Sequence, residues 1–146
     1  IHPQWDEIGS ATLFVKLLYA NYDRGVVVLE MMGEWNDCLY NDIMYLKRNI
    51  VDPLMEQGIY KYILIGENIL NFHGGDTDYY DEWFDEVDEG WIAGINFRQH
   101  VQEEFADTGI DYFIAFGTSF NQLKWRLLEP EALCSLIEGM MVKRLG

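Results

Sequence analysis

The order of strand-like and helix-like stretches is the feature that most constrains the fold of this chain. In residues 11–20 the side chains of Leu13, Val15, Leu17 and Tyr19 occupy alternate positions, and residues 26–32 form a mostly apolar run rich in valine. The five residues between them, Asn-Tyr-Asp-Arg-Gly, favour a turn, so the pattern predicts an antiparallel hairpin. Further strand-like runs lie at 60–65, 91–95 and 110–116.

Helical periodicity predicts four helices between and after these strands. The first is expected to begin at Asn36 or Asp37 and to end at Gly58, with Pro53 producing a kink or short break near Asp52. The other three are expected at 77–88, at 96–109 and from Pro130 onward. The remaining segment, 117–128, fits either a strand or a helix, and its alternation favours a strand.

Strands that alternate with helices predict one α/β domain over residues 11–146, after a polar N-terminal arm at 1–10. We expect a mixed, mostly parallel sheet that opens with the β-hairpin and is covered by about four helices. The chain has 146 residues, a length that suits a single domain with one core.

The net charge of −15 narrows the range of partners. A broad nucleic-acid or anionic-lipid interface requires Lys and Arg, so neither nucleic acid nor membrane is expected as a partner. A protein partner with a basic surface is expected instead. Cys38 and Cys134 both fall in helical patterns, which predicts two buried free thiols and a cytoplasmic protein.

One segment concentrates this charge, because eight of the fourteen residues at 76–89 are acidic. Repulsion between carboxylates four residues apart destabilises a helix, so their retention favours a role in contacting a basic partner. The predicted interaction surface consists of Tyr79, Asp81, Glu82, Asp85 and Glu86.

The loop that follows the 60–65 strand offers an alternative, a divalent-metal or small-ligand site over residues 67–78. Ligands bind at the carboxyl ends of parallel strands, and hard cations prefer several oxygen ligands. The predicted metal ligands are Glu67, His73, Asp76 and Asp78. These residues suit a divalent cation as cofactor, and a hydrolase that uses the cation to activate water would follow from such a site.

No nucleophile turn, phosphate-binding loop, dinucleotide fingerprint or zinc spacing is present in the sequence. The leading hypothesis is therefore a non-enzymatic interaction or regulatory domain. The chain is also rich in aromatic residues, and Trp5, Trp35, Tyr79 and Trp91 are expected to be exposed.

The order of elements resembles the STAS domain, the family of anti-sigma-factor antagonists and transporter tails. Residues 128–133, Leu-Glu-Pro-Glu-Ala-Leu, are similar to the Ser-x-Glu-Glu-Ala-Leu entry to that family's last helix. The resemblance implies a regulatory domain that works by protein contacts, with a homodimer as one form. The family's phosphoacceptor serine lies in an Asp-Ser-Ser-Gly turn, whereas residues 72–77 here contain no serine and offer only Thr77 as a small hydroxyl. Because this serine is absent, the resemblance implies protein contacts that do not depend on phosphorylation.

Overall fold

The computed structural model, which describes residues 6–145, places five strands in one sheet in the order β1-β2-β3-β4-β5. The strands are β1 (Asp6–Glu7), β2 (Leu13–Asn21), β3 (Val26–Asn36), β4 (Lys61–His73) and β5 (Trp91–Ile95). The first three strands pair antiparallel, and β3, β4 and β5 are parallel. The predicted mixed sheet and its opening hairpin are confirmed.

Helices cover both faces of the sheet. They are α1 (Asp42–Leu46), α2 (Asp52–Glu56), α3 (Asp78–Val87), α4 (Gln99–Asp107) and α5 (Pro130–Leu145), and a π-helical turn at Lys47–Val51 joins α1 to α2. One face packs against α1 to α4 through Val27, Leu29 and Met31 of β3. The opposite face packs against α5 through Val26 and Val28. Consecutive side chains of β3 thus supply two cores, because side chains alternate across a strand.

The two central strands are longer than predicted. β3 continues to Asn36 and β4 to His73, well past the apolar runs at 26–32 and 60–65. Their pairing shifts register between Glu30 and Met32 and again between Gly33 and Glu34. These bulges break the strict alternation that marks a strand in sequence, so the extensions resemble loops.

The extension of β3 also moves the start of the first helix, which begins at Asp42 rather than at Asn36 or Asp37. The Asp42 side chain is fully buried and accepts hydrogen bonds from the hydroxyls of Ser10 and Thr12 and from the backbone N–H of Asn36. The predicted irregularity near Asp52 is present as the π-helical turn directly before it. Pro53 then occupies the first turn of α2, where its missing N–H costs little.

The strand predicted at 110–116 is wrong. A 3₁₀ turn at Ile110–Tyr112 replaces it, and only Ala115 forms an isolated parallel bridge, with Ala93. Gly109 turns the chain with φ 80°, and the apolar side chains Ile110 and Ile114 are buried without a ladder partner.

The strand favoured at 117–128 is also wrong, because this segment contains 3₁₀ turns at Thr118–Phe120 and Trp125–Leu127. The Asn96 side-chain amide forms the two backbone hydrogen bonds that a neighbouring strand would otherwise supply. Its Oδ1 accepts from Leu123 N at 2.7 Å and its Nδ2 donates to Leu123 O at 2.8 Å. This contact spans 27 residues, so local periodicity does not reveal it.

Burial differs from expectation at several positions. Trp35 and Trp91, expected outside, are 0 % and 6 % exposed, and Cys38, expected inside, is exposed. Cys38 lies in the loop that separates β3 from α1, so no helix face buries it. Cys134 is buried as predicted.

Residues 1–5 of the predicted arm, including Trp5, lie outside the described residues. The rest of the arm adds β1 to the sheet and buries Ile8.

We expect Gly66→Ala to lower the free energy of unfolding by about 1–3 kcal/mol because it overpacks the core. An added Cβ would lie 2.3 Å from the ring of Phe97, which is held between the rings of Trp35, Phe105 and Phe116. Gly139→Ala is the matched control, since it lies in α5 with open space around it and gains helix propensity of up to about 1 kcal/mol. Urea unfolding of both variants measures the difference, and equal stabilities would contradict this packing of Phe97.

Candidate functional site

The acidic helix α3 is held on the sheet by one apolar face. Tyr80, Trp83 and Val87 are almost fully buried, and the Trp83 ring meets the Tyr62 ring edge-on at 5.2 Å. These residues recur at spacings of three and four, which places them on one side of a helix. The carboxylates of α3 therefore lie either on the side of the helix next to this buried face or on the outer face, which points away from the sheet.

Two of the predicted interaction residues, Glu82 and Glu86, are engaged within the protein. The ammonium of Lys47, whose side chain is 0 % exposed, lies 2.8 Å from Glu82 Oε2 and 2.7 Å from Glu86 Oε1. It also forms a close ion pair with Asp52. Burial alone lowers the pKa of Lys47, but its bonds to the three carboxylates outweigh this effect and raise it.

Arg48 extends this network at the surface. Its guanidinium donates to both oxygens of Glu82, at 2.5 and 3.0 Å, and to Asp52 at 2.8 Å. The bonds from Arg48 and then from Lys47 lower the pKa of Glu82 to about 2. The guanidinium carbon of Arg48 also lies 5.1 Å from the ring centroid of Tyr79, another of the predicted residues. Tyr79, Glu82 and Glu86 thus bind α3 to the π-helical turn.

The other two predicted residues, Asp81 and Asp85, are exposed on the outer face. Their side chains form no hydrogen bond or ion pair with any other residue in the part of the chain that the structure describes. Phe84 lies between them in sequence and is 37 % exposed, and its ring centroid is 5.6 Å from that of Tyr112, which is 73 % exposed. These four residues together form an acidic surface with two aromatic side chains at its centre.

Beside Phe84 lies a cleft with a volume of about 310 Å³, which we call the acidic cleft. Its aromatic walls are Phe84, Trp91, Tyr112 and Phe113, and its charged residues are Asp88, Glu89, Asp111 and Arg144. Three carboxylates against one guanidinium leave it net negative. Carboxylates next to aromatic faces suit a cationic side chain, which gains from both the ion pair and the ring quadrupole.

The four predicted metal ligands are not brought together. Asp76 and Asp78 lie two residues apart and are exposed after β4, where the carboxylate of Asp76 raises the pKa of Asp78. Glu67 lies six residues before His73 on the same strand and forms a close ion pair with Arg126. Among the described residues, the carboxylates close enough to share a cation are Asp52, Glu82 and Glu86, and these already surround the Lys47 ammonium.

A second polar centre, which the sequence did not indicate, lies at the carboxyl end of β3. Asp37 is buried and accepts hydrogen bonds from Tyr80 Oη at 2.5 Å and from Ile43 N at 2.8 Å. Burial, with a smaller contribution from the nearby Asp42 carboxylate, raises the pKa of Asp37 to about 7. This carboxyl group connects β3, α1 and α3.

The sequence predicted Asp81 and Asp85 as surface residues but gave no signal for Tyr112 and Asp111, which line the acidic cleft. Both lie on the 3₁₀ turn that was predicted to be a strand, more than twenty residues after α3. The acidic composition of 76–89 was the available signal for the surface, and no local pattern links it to residue 112.

No protein-family model and no curated protein matches this chain. Among solved structures, the chain is similar to the Bacillus cell fate determinant SpoIIAA in its phosphorylated form. The similarity has a TM-score of 0.45 and 14 % sequence identity, over 71 % of this chain and 91 % of that one. At this identity and TM-score it transfers neither phosphorylation nor a partner to this chain.

In the part of the chain that the structure describes, none of the helices combines the length and the apolar character that a membrane crossing requires.

We expect Lys47→Met to destabilise the fold by about 2–3 kcal/mol, because it removes the buried cation from among three carboxylates. Arg48 still pairs with Asp52 and Glu82 in this variant, but Glu86 loses its ion pair. The partial solvation of the three carboxylates keeps the loss below that of a fully buried pair. Lys124→Met, at an exposed lysine, should change the free energy of unfolding by less than about 0.5 kcal/mol. Chemical denaturation of the two variants makes the comparison, and equal losses would mean that the Lys47 network contributes no stability.

The raised pKa of Asp37 makes the stability of the fold depend on pH. The folded state holds this proton up to about pH 7, whereas an unfolded aspartate loses it near pH 4. The stability contributed by the protonated carboxyl is therefore present below pH 4 and is lost as the pH rises through 7. Relative to the unmodified protein, Asp37→Asn should gain about 2–3 kcal/mol between pH 5 and pH 8.

Denaturation curves of Asp37→Asn and of the surface control Asp85→Asn at the two pH values test this expectation. A difference between Asp37→Asn and the unmodified protein that does not change with pH would show that Asp37 is ionised throughout.

Proposed function

We propose that this chain is a non-enzymatic interaction domain that binds a basic segment of a protein partner. The contact surface is the outer face of α3 together with the acidic cleft. One observation carries the proposal: Asp81 and Asp85, which have no ion-pair partner among residues 6–145, occur on the same surface as the exposed aromatic pair Phe84 and Tyr112.

The division of charge on α3 supports this assignment. Glu82 and Glu86 neutralise Lys47 and Arg48, so they need no external cation. Within the described part of the chain, Asp81 and Asp85 have no such partner. Their repulsion, four residues apart, weakens the helix by roughly a few tenths of a kcal/mol. A cationic partner relieves that repulsion, which gives these two carboxylates a function that internal packing does not supply.

The aromatic residues add contact energy at the centre of this surface. Interfaces concentrate binding energy in a few large side chains surrounded by polar ones, and aromatic residues are frequent among them. Phe84 and Tyr112 occupy that central position, with carboxylates of α3 and of the acidic cleft around them. An arginine or lysine side chain fits both features, because it pairs with a carboxylate and stacks on a ring.

The net charge of −15 acts over a longer range. It attracts a basic partner before contact and raises the association rate, an effect that salt weakens. Affinity and its salt dependence should therefore change together when the surface is neutralised.

We expect an acetylated and amidated octapeptide of alternating arginine and alanine to bind this surface. Titrated into ¹⁵N-labelled protein, it should shift amide resonances at 78–90 and 110–113. Replacing Asp81, Asp85 and Asp88 together by Asn should weaken binding about tenfold, since each exposed charge pair contributes up to about 1 kcal/mol. Tyr112→Ala should weaken it a further twofold to fivefold, roughly the value of an exposed cation–π contact.

The matched control neutralises three exposed acids on α4, Glu103, Glu104 and Asp107, as Gln, Gln and Asn. Both triple variants change the net charge from −15 to −12. An equal loss of affinity in the two variants would show that the peptide responds to net charge alone, and the proposed surface would be wrong.

A further inference from the structure

The outer side of α5 differs in charge from the outer side of α3. Leu133, Ile137 and Met141 turn one side of α5 into the core on the sheet face opposite α3. The other side of the helix is exposed and consists of Ala132, Ser135, Leu136, Gly139, Val142 and Lys143. We call this side the α5 face. It carries no acidic side chain, in a chain whose net charge is −15.

The α5 face is also more apolar than an exposed helix requires. The side chains of Leu136 and Val142 are 40 % and 64 % exposed. A surface helix of a soluble protein normally opposes its apolar side with charged and polar residues, and a helix that is apolar all round is normally buried on both sides. The composition of α5 therefore indicates a second contact, on the side that points away from the sheet.

The two acidic residues within α5 are held by cations of the same chain. Glu131 lies 2.9 Å from Arg24, and Glu138 lies 3.0 Å from Lys61. The last turn of the helix adds two basic residues, Lys143 and Arg144, so α5 carries no net charge. Another molecule with an apolar surface can approach this helix without meeting the uncompensated carboxylates that lie on α3.

Two oppositely charged side chains remain at the ends of α5. Glu129 directly precedes the helix, Lys143 lies in its last turn, and both are exposed. Among residues 6–145, neither side chain forms a hydrogen bond or an ion pair. About four helical turns separate them, roughly 21 Å along the axis, so they cannot pair within one copy of the chain.

We propose that two copies of this chain form a homodimer in which their α5 faces pack antiparallel about a two-fold axis between Leu136 and Gly139. A two-fold interface uses the same surface of both copies, so each contact occurs twice. Antiparallel packing brings Glu129 of one copy to Lys143 of the other at both ends of the interface. Parallel packing would instead place like charges together.

Gly139 supports a close approach at the centre of this interface. A Cβ added to it would meet no atom within 4 Å, so nothing inside the chain requires glycine there. Glycine in a helix interior lowers helix stability relative to alanine, and its use is to let another group approach the backbone closely. In the antiparallel dimer, Leu136 of each copy packs against Gly139 of the other.

Repulsion between two negatively charged copies opposes this dimer. The acidic helix α3 packs on the opposite face of the sheet from α5, so its carboxylates are not in the interface. At physiological salt, exposed charges more than about 8 Å apart are largely screened. The local neutrality of α5 therefore decides whether the two copies can meet there.

Sedimentation velocity in physiological salt, from micromolar to about millimolar protein, tests the proposal. We expect a dissociation constant of about 10–100 µM, because one pair of helices forms an interface at the small end of the known range. Leu136→Glu should weaken the dimer about a hundredfold, since it places two unpaired carboxylates close to the axis. Leu39→Glu is the matched control, because Leu39 is 75 % exposed in the loop between β3 and α1 and lies outside the α5 face.

Charge reversal tests the antiparallel arrangement. Lys143→Glu should weaken the dimer about threefold to tenfold, because it opposes like charges at both ends. Adding Glu129→Lys to that variant should restore the affinity, and the double variant keeps the net charge of −15. Because the two positions are too far apart to interact within one copy, such a rescue can arise only between copies.

Gly139→Gln separates a role in the interface from a role in the fold. It should raise the free energy of unfolding, because glutamine favours the helix, and should weaken the dimer, because its side chain blocks the close approach. The Asn variants of Asp81, Asp85 and Asp88 should dimerise normally, so this result is independent of the α3 surface. A monomer at millimolar concentration, equal effects of Leu136→Glu and Leu39→Glu, or no rescue by charge reversal would each overturn the proposal.

Discussion

The parallel pairing of β3 with β4 is the contact on which the rest of the structure depends. It runs from Val26 opposite Lys61 to Asn36 opposite His73, and it places alternate side chains of β3 in two separate cores. The carboxyl end of β3 also makes contacts that hold other elements in place. The bulges near Glu30 and Gly33 let the ladder continue past the apolar runs and carry Trp35 and Phe72 into the first core. Asp37, just beyond the ladder, receives the hydrogen bond from Tyr80 that joins α3 to this frame.

Electrostatics decides how the acidic residues are used, because excess negative charge must be either neutralised or solvated. Lys47 and Arg48 neutralise one flank of α3 and so make two of its glutamates part of the fold. The same helix keeps Asp81 and Asp85 in solvent, where no cation of residues 6–145 forms an ion pair with them. A stretch that looks uniform in sequence is thus divided into a structural side and a side available for contact.

The two faces of the sheet also differ, in the helices that cover them. The first packs against α1 to α4 and buries a cluster of aromatic rings around Trp35 and Phe105. The second is covered mainly by α5, and it leaves open the part of the sheet around Glu30. The outer side of α5 is in turn exposed and, unlike that of α3, carries no acidic side chain.

The sequence by itself determined the α/β class, the opening hairpin, α3, β5 and α5, because each of these has a clear local periodicity or a strong helix start such as Pro130. Composition also led to the predicted interaction surface on α3, which includes the exposed Asp81 and Asp85. Only the tertiary structure decided the lengths of β3 and β4, the irregular path of 110–128, the pairing of Glu82 and Glu86 with Lys47, and the acidic cleft. The physical reason is the range of the contacts involved. Asn96 with Leu123, Lys47 with Glu82 and Phe84 with Tyr112 are each 27 or more residues apart, and periodicity within a short window carries no information about such contacts.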